Sequence, residues 1–190
     1  MGRILYDTAT TLNGFLADDQ DGLEWLFEVP GGDTPQPDQY PMDATALVMG
    51  SHTYEWVMRH EHIEAHPERW RAAFGDKPVF VFTHRELPVV DGADVSLVAG
   101  TVTELMPRLR AAAGDGDLWV MGGGELAGQF LDADALDSIR LSVAPAALPS
   151  GAPLLPRRLG ADRLRLVSAH AQGQFARLVY DVVGASAAQR

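Results

Sequence analysis

A chain of 190 residues, 46% hydrophobic and 22% charged, has the make-up of one globular domain that can bury roughly 70% of its unfolded surface without a metal or disulfide. It contains no cysteine, which excludes disulfides, thiolate nucleophiles, cysteine zinc sites and iron–sulfur clusters. A net charge of −11 argues against nucleic acid as a partner, and the sequence shows neither a signal peptide nor an apolar run of about 18 residues that could span a membrane, so a cytoplasmic protein is expected.

In chain order, residues 3–10 mix β-branched and aromatic side chains and predict a first strand. Asn13-Gly14, the short run Phe15-Leu16-Ala17 and the turn-rich segment 18–22 follow. Residues 30–41, "PGGDTPQPDQYP", have no periodic pattern and predict a loop. Residues 44–49 are an apolar run closed by Gly50, hence a buried strand, and residues 53–59 have helical character. Residues 61–74 are rich in charge and interrupted by His66-Pro67, and the stretch 60–66 predicts a solvated connector. Strands are expected over 78–83 and 95–98. A helix is expected over 101–113, capped by Thr101 or Thr103. A strand at 118–121 leads into a helix at 125–131. Strands at 139–144, 164–169 and 174–183 complete the set, with Gln172-Gly173 as a hairpin turn. Alternating strands and helices over the first two-thirds predict a largely parallel, helix-covered sheet, and the last third predicts an antiparallel extension. One α/β domain is expected over residues 1–185, with 186–190 as a tail.

Ligands of open parallel sheets bind outside the carboxyl ends of the strands. Three such ends carry small or hydroxylated residues: Gly50-Ser51-His52-Thr53, Thr83-His84-Arg85 and Gly122-Gly123-Gly124. Each stands where backbone N–H groups become free to donate, so a phosphate or pyrophosphate is the natural guest. Ser51 and Thr53 add hydroxyl donors, and Arg85 adds a full charge. The run from Gly122 matches G-x-G-x-x-A, but it comes late in the chain and no carboxylate follows the next strand, so it does not mark a Rossmann fold.

The succession "TTLNGFLA", "LVMGSHTYE", "KPVFVFTHR", "LWVMGGGELAGQFL" and "IRLSVAPAALPSGAPLLP" resembles the dihydrofolate reductase superfamily. Within it the chain is most similar to the branch containing the reductase domain of riboflavin biosynthesis, over residues 3–183. The resemblance implies a mostly parallel, about eight-stranded sheet with flanking helices and an antiparallel C-terminal strand. It also implies hydride transfer from NADPH to a small heterocyclic or carbonyl-bearing metabolite, in a homodimer. Gly50, Ser51, His52 and Thr53 would face the cofactor phosphates, and Thr83, His84 and Arg85 the adenosine ribose and its 2′-phosphate. Met121, Gly122, Gly123, Gly124, Glu125 and Leu126 would line the pyrophosphate and nicotinamide side, with Ala9 and Leu16 near the nicotinamide. Asn13 and Asp7 would approach the substrate. On this reading the dinucleotide itself presses against the glycines, and Gly123→Val is expected to block cofactor binding while leaving the fold intact.

Two departures from the family pattern matter. Ser51 replaces an arginine found in many relatives, which leaves Arg85 and His52 to supply charge for a 2′-phosphate. No carboxylate occupies the helical position that holds the pteridine in folate reductases. Asp33 and Asp38 are near it in sequence but read as solvated loop residues, so dihydrofolate is not the expected substrate. No general acid is assigned; Asp7 and Tyr54 are the nearest candidates, and both read first as structural. The segment "HEHIEAH" at 60–66 has the wrong order for a metalloprotease motif and is read as surface, so no metal is expected. Ser51 and Ser142 lack a nucleophile elbow. Trp25, Trp56, Trp70 and Trp119 read as core or rim aromatics. A non-catalytic nucleotide-binding module stands as the alternative function.

Overall fold

The computed structural model describes residues 2–30 and 40–184. The expected tail at 186–190 lies outside the described residues, as do Asp33 and Asp38. Apolar runs form strands β1 (Ile4–Thr11), β3 (Ala46–Gly50), β4 (Val79–Phe82), β5 (Val95–Val98), β6 (Leu118–Gly122) and β7 (Ser138–Ala144). These six are parallel, in the order β5-β4-β3-β6-β1-β7. The sheet is extended by β10 (Phe175–Val182), antiparallel to β7, and by β9 (Leu164–Gln172) on the outer edge. The expected eight-stranded architecture is thus present. A short ladder of β2 (Phe15–Ala17) with β8 (Ala152–Pro153) stands apart from the sheet.

The period-2 alternation of the strands sorts the helices onto two faces. Ile4, Tyr6, Ala46, Val48, Phe80 and Val120 point to one side, where α4 (Val102–Ala113) and α5 (Gly124–Asp132) cover them. Leu47, Met49, Val79, Val81 and Trp119 point to the other, under α2 (Ser51–His60) and α3 (Glu68–Phe74). Each fully buried Leu or Ile contributes about 1.5–3 kcal/mol to this two-sided core. A smaller cluster around Trp25, Val29, Ala144 and Phe175 is built with α1 (Glu24–Phe27).

Thr101 is the cap of α4: its hydroxyl accepts from the Glu104 N–H at 3.2 Å, and the Glu104 carboxylate accepts from the Thr101 N–H at 2.8 Å. The expected solvated connector at 60–66 is corrected. Ile63 is buried after a left-handed residue at His62, and α3 follows, sinking Trp70 and Phe74 into the core. The hairpin turn also moves by one residue, to Gly173-Gln174, with Gln172 and Phe175 as the closing pair. Gly173 takes φ +55°, which a glycine adopts without strain.

Candidate active site

Parallel pairing brings the carboxyl ends of β5, β4, β3, β6 and β1 side by side. Four strand spacings give an edge of about 19 Å, long enough for an extended dinucleotide. A cavity of about 1020 Å³ runs along this edge. That is at the upper end of the roughly 300–1,000 Å³ usual for small-molecule sites.

The structure gathers most of the sequence-predicted residues here. Gly50, Ser51, His52 and Thr53 line the cavity at the start of α2, and Thr83 and His84 line it past the end of β4. Met121, Gly122, Gly123, Gly124, Glu125 and Leu126 line it where β6 turns into α5. Ala9 and Leu16 close the β1 end.

Two expected contacts are placed elsewhere. Arg85 is outside the lining, its guanidinium donating to both Glu55 carboxylate oxygens at 3.1 and 2.6 Å. Asn13 spends its side chain on structure: it donates to the Leu148 carbonyl at 2.7 Å and accepts from the Leu148 N–H at 3.2 Å and the Thr11 hydroxyl at 2.9 Å. It therefore pins the segment after β7 to the first turn.

Both helix starts that face the cavity lack a side-chain cap, at Gly50 for α2 and Gly123 for α5. Their first N–H groups are the donors that an anion would use. The glycines do not share one reason, which corrects the expectation that a ligand presses on all of them. A Cβ on Gly124 would lie 2.1 Å from the Pro153 carbonyl oxygen and 2.6 Å from that of Leu154. One on Gly122 would lie 2.7 Å from the Thr53 hydroxyl. Gly123 has φ +86°, so valine there is strained whatever the space, and Gly123→Val is not the clean probe the sequence indicates. Of these four glycines, only Gly50 has nothing within 4 Å of where a Cβ would be.

Asp7 sits at the cavity floor but is sealed from solvent. Its two oxygens accept from the Arg177 guanidinium at 2.8 and 2.6 Å, and Arg177 also donates to Ser142 at 3.2 Å. Burial pushes the Asp7 carboxyl up, and the Arg177 and Arg140 charges pull against it. A carboxylate held by a guanidinium fork is the geometry of a buried ion pair, and removing one partner costs about 3–5 kcal/mol. Tyr54 is also removed from candidate chemistry: it is fully buried, with its hydroxyl donating to the Pro88 carbonyl at 2.8 Å.

A scan against protein families matches the RibD C-terminal domain over residues 3–176. The chain belongs to this family. It is 30% identical over 178 residues to the uncharacterized protein YwjB of Bacillus subtilis, covering 93% of this chain and 95% of that one. A second Bacillus subtilis relative, the uncharacterized protein YyaP, is 25% identical over 157 residues, covering 80% of this chain and 79% of its own. Among solved structures, a riboflavin biosynthesis protein from Shewanella superposes with a TM-score of 0.71 at 26% identity, over 96% of this chain and 99% of that one. The bifunctional deaminase/5-amino-6-(5-phosphoribosylamino)uracil reductase of Thermotoga maritima gives a TM-score of 0.66 at 14% identity. There the match covers 96% of this chain and 57% of the larger protein, and it shows the fold alone. The dihydrofolate-reductase-like fold is shared by these neighbours.

Within this RibD C-terminal domain, the structure adds lining residues that sequence reasoning did not assign to the site. Phe27, Trp56 and His60 form a mutually stacked group at the far end of α2, with His60 centred 4.3 Å from Trp56 and 5.0 Å from Phe27. Tyr40 stacks on Trp119 at 5.6 Å, and the Trp119 indole N–H donates to the Asp7 carbonyl at 3.0 Å. Trp25 lines the cavity with its indole nitrogen buried and unbonded among the described residues. No local pattern marks these side chains; the aromatic identity of Trp25, Trp56 and Trp119 was the only available signal. His52 lies 3.5 Å from Asp21, which places the loop after β2 across the mouth of the cavity.

Proposed function

We propose that the protein is an NADPH-dependent reductase that delivers hydride to a small, pterin- or pyrimidine-like heterocycle or carbonyl compound. The observation that carries this reading is the continuous cavity over five strand ends, with two uncapped helix N-termini opening into it. These donors, with Ser51 and Thr53, suit a pyrophosphate bridge. The open space at Gly50 is the cradle that a close-lying phosphate requires. Thr83 and His84 stand at the β4 end for the adenosine, and Ala9, Leu16, Met121 and Trp119 flank the opposite end for the nicotinamide. When bound, NADPH supplies the hydride; the chain contributes orientation and a largely apolar pocket that excludes water.

The described lining contains no Lys or Arg, so charge for a 2′-phosphate rests on His52, His84 and any release of Arg85 from Glu55. NADPH oxidation followed at 340 nm with a panel of reducible heterocycles, alongside binding titrations with NADPH and NADH, tests the assignment. Tighter binding of NADH would replace the cofactor in this reading. Binding without turnover on any acceptor would favour the non-catalytic module, a reading supported by the locking of Asp7 into its ion pair.

The reading goes with a cytoplasmic location and a homodimer. Among the described residues no helix is long and apolar enough to cross a membrane. The edge strand β9 leaves Leu166 and Val167 more than half exposed, which supports pairing through the C-terminal ladder. Gel filtration at the monomer mass would contradict the dimer.

A further inference from the structure

A reduction that adds hydride to carbon needs a proton on the neighbouring nitrogen or oxygen. Resting on the reductase reading, the reacting atoms lie at the β6–β1 end, because the phosphate donors are at the starts of α2 and α5 and the adenosine end is at β4. Eight ionisable side chains line the described cavity, and seven are badly placed or already bonded. Asp7 is sealed, with both oxygens on Arg177. Glu125 has both oxygens on Arg157 at 2.9 and 2.6 Å. His84 lies past β4, three strands from β1 and so about 14 Å away. His60 and Glu61 sit at the far end of α2, about 13 Å along the helix from Ser51. His52 and Asp21 face each other at the solvent-exposed mouth.

The remaining group is Tyr40. Its ring lies on Trp119 with the two planes 25° apart. Trp119 in turn is registered between Leu5 of β1 and Leu47 of β3 and is fixed by its bond to the Asp7 carbonyl. The phenol is therefore held by stacked aromatics against the floor of the reacting end.

We propose that Tyr40 is the proton donor of the reduction. As hydride, with its electron pair, reaches the carbon of a polarised C=N or C=O bond, the Tyr40 O–H gives its proton to the nitrogen or oxygen. The double bond becomes a single CH–NH or CH–OH bond, the nicotinamide is oxidised, and a phenolate remains that water reprotonates. Burial, reinforced by the Asp7 charge and opposed by that of Arg177, pushes the Tyr40 phenol up to about 12. The donor thus stays protonated at physiological pH, and it surrenders its proton only to the strongly basic nitrogen or oxygen anion that hydride addition creates. The positive charge of Arg177, itself paired with Asp7, favours the phenolate over the phenol.

Tyr40→Phe keeps the stack on Trp119 and removes only the hydroxyl. The expected result is a fall in kcat of about 100-fold, within the range usual for a general acid, with unchanged thermal stability, unchanged NADPH affinity and loss of the solvent isotope effect. A second readout does not depend on turnover. In protein labelled with ζ-¹³C tyrosine, the resonance missing from the Phe variant should titrate near 12 and shift when NADP⁺ is added. Full kcat in Tyr40→Phe, or a Tyr40 resonance that ignores the cofactor, overturns the proposal. Loss of NADPH binding in the variant also overturns it, by making the residue a positioning one. Failure of the reductase reading is seen separately, as a wild-type protein that does not oxidise NADPH with any acceptor.

Discussion

Two strand-to-helix turns face the same cavity and look alike in sequence, yet their glycines serve different ends. At β6–α5, Gly124 has no room for a side chain because the backbone carbonyls of Pro153 and Leu154 press against it, and Gly123 takes a left-handed conformation. At β3–α2, Gly50 has an ordinary extended backbone, φ −81° and ψ 166°, and open space where a Cβ would be. The first turn is tight because the chain packs on itself. The second is open and can be tight only against a guest. Turns with the same appearance thus divide into those whose glycine the chain's own packing demands and those where the chain leaves room.

The difference is broken or sharpened by substitution. Gly124→Val forces a side chain into backbone and should destabilise by about 3 kcal/mol, a fall in Tm of about 6–12 °C by calorimetry; a variant as stable as the parent would erase the contrast. Gly123→Ala should cost about 1 kcal/mol for the left-handed backbone alone, read in the same scan. Gly50→Ala should leave Tm unchanged while weakening NADPH binding about tenfold, measured by fluorescence titration and equivalent to about 1.4 kcal/mol. Retained affinity would show that nothing lies against that glycine. Glu55→Gln weakens the hold on Arg85 and should raise NADPH affinity relative to NADH a few-fold, since the guanidinium becomes available to a 2′-phosphate beside Thr83 and His84.

The smallest effect concerns acid. Hydrogen bonds from Arg157 hold the Glu125 carboxyl below its ordinary value of 4.5. A carboxyl lowered in the folded state lends stability that is fully present above that ordinary value and is lost as pH falls through the lowered one. Glu125→Gln should therefore flatten part of the loss of stability below about pH 4.5.

The parallel strands were legible because burial on both faces leaves uninterrupted apolar letters, as in "ALVMG", "VFVF" and "LWVMG". Residues 60–66 were misread because Ile63 is spaced among charged neighbours, and its burial depends on a sheet face supplied by other segments. The two-residue strand β8 has no pattern of its own and exists only through its pairing with β2. In the site, hydroxyl and glycine residues at strand ends were readable from the rule for parallel sheets. Tyr40, at the end of a proline-rich stretch of sequence, carried no comparable mark. Arg85 looked available for a phosphate because its partner Glu55, 30 residues earlier, is reached only through the folded α2.

From the sequence alone came the parallel α/β sheet, the strand ends that meet at one edge and the family likeness. The sheet and its strand ends rest on burial periodicity and turn chemistry, which are encoded within a few residues, and the likeness rests on the succession of short motifs. The tertiary structure decided which glycines are claimed by the chain itself, and that Asp7 is paired with Arg177, 170 residues away, rather than available for substrate. Such pairings depend on how distant segments are brought into contact, and a local pattern does not record where its own segment will be placed.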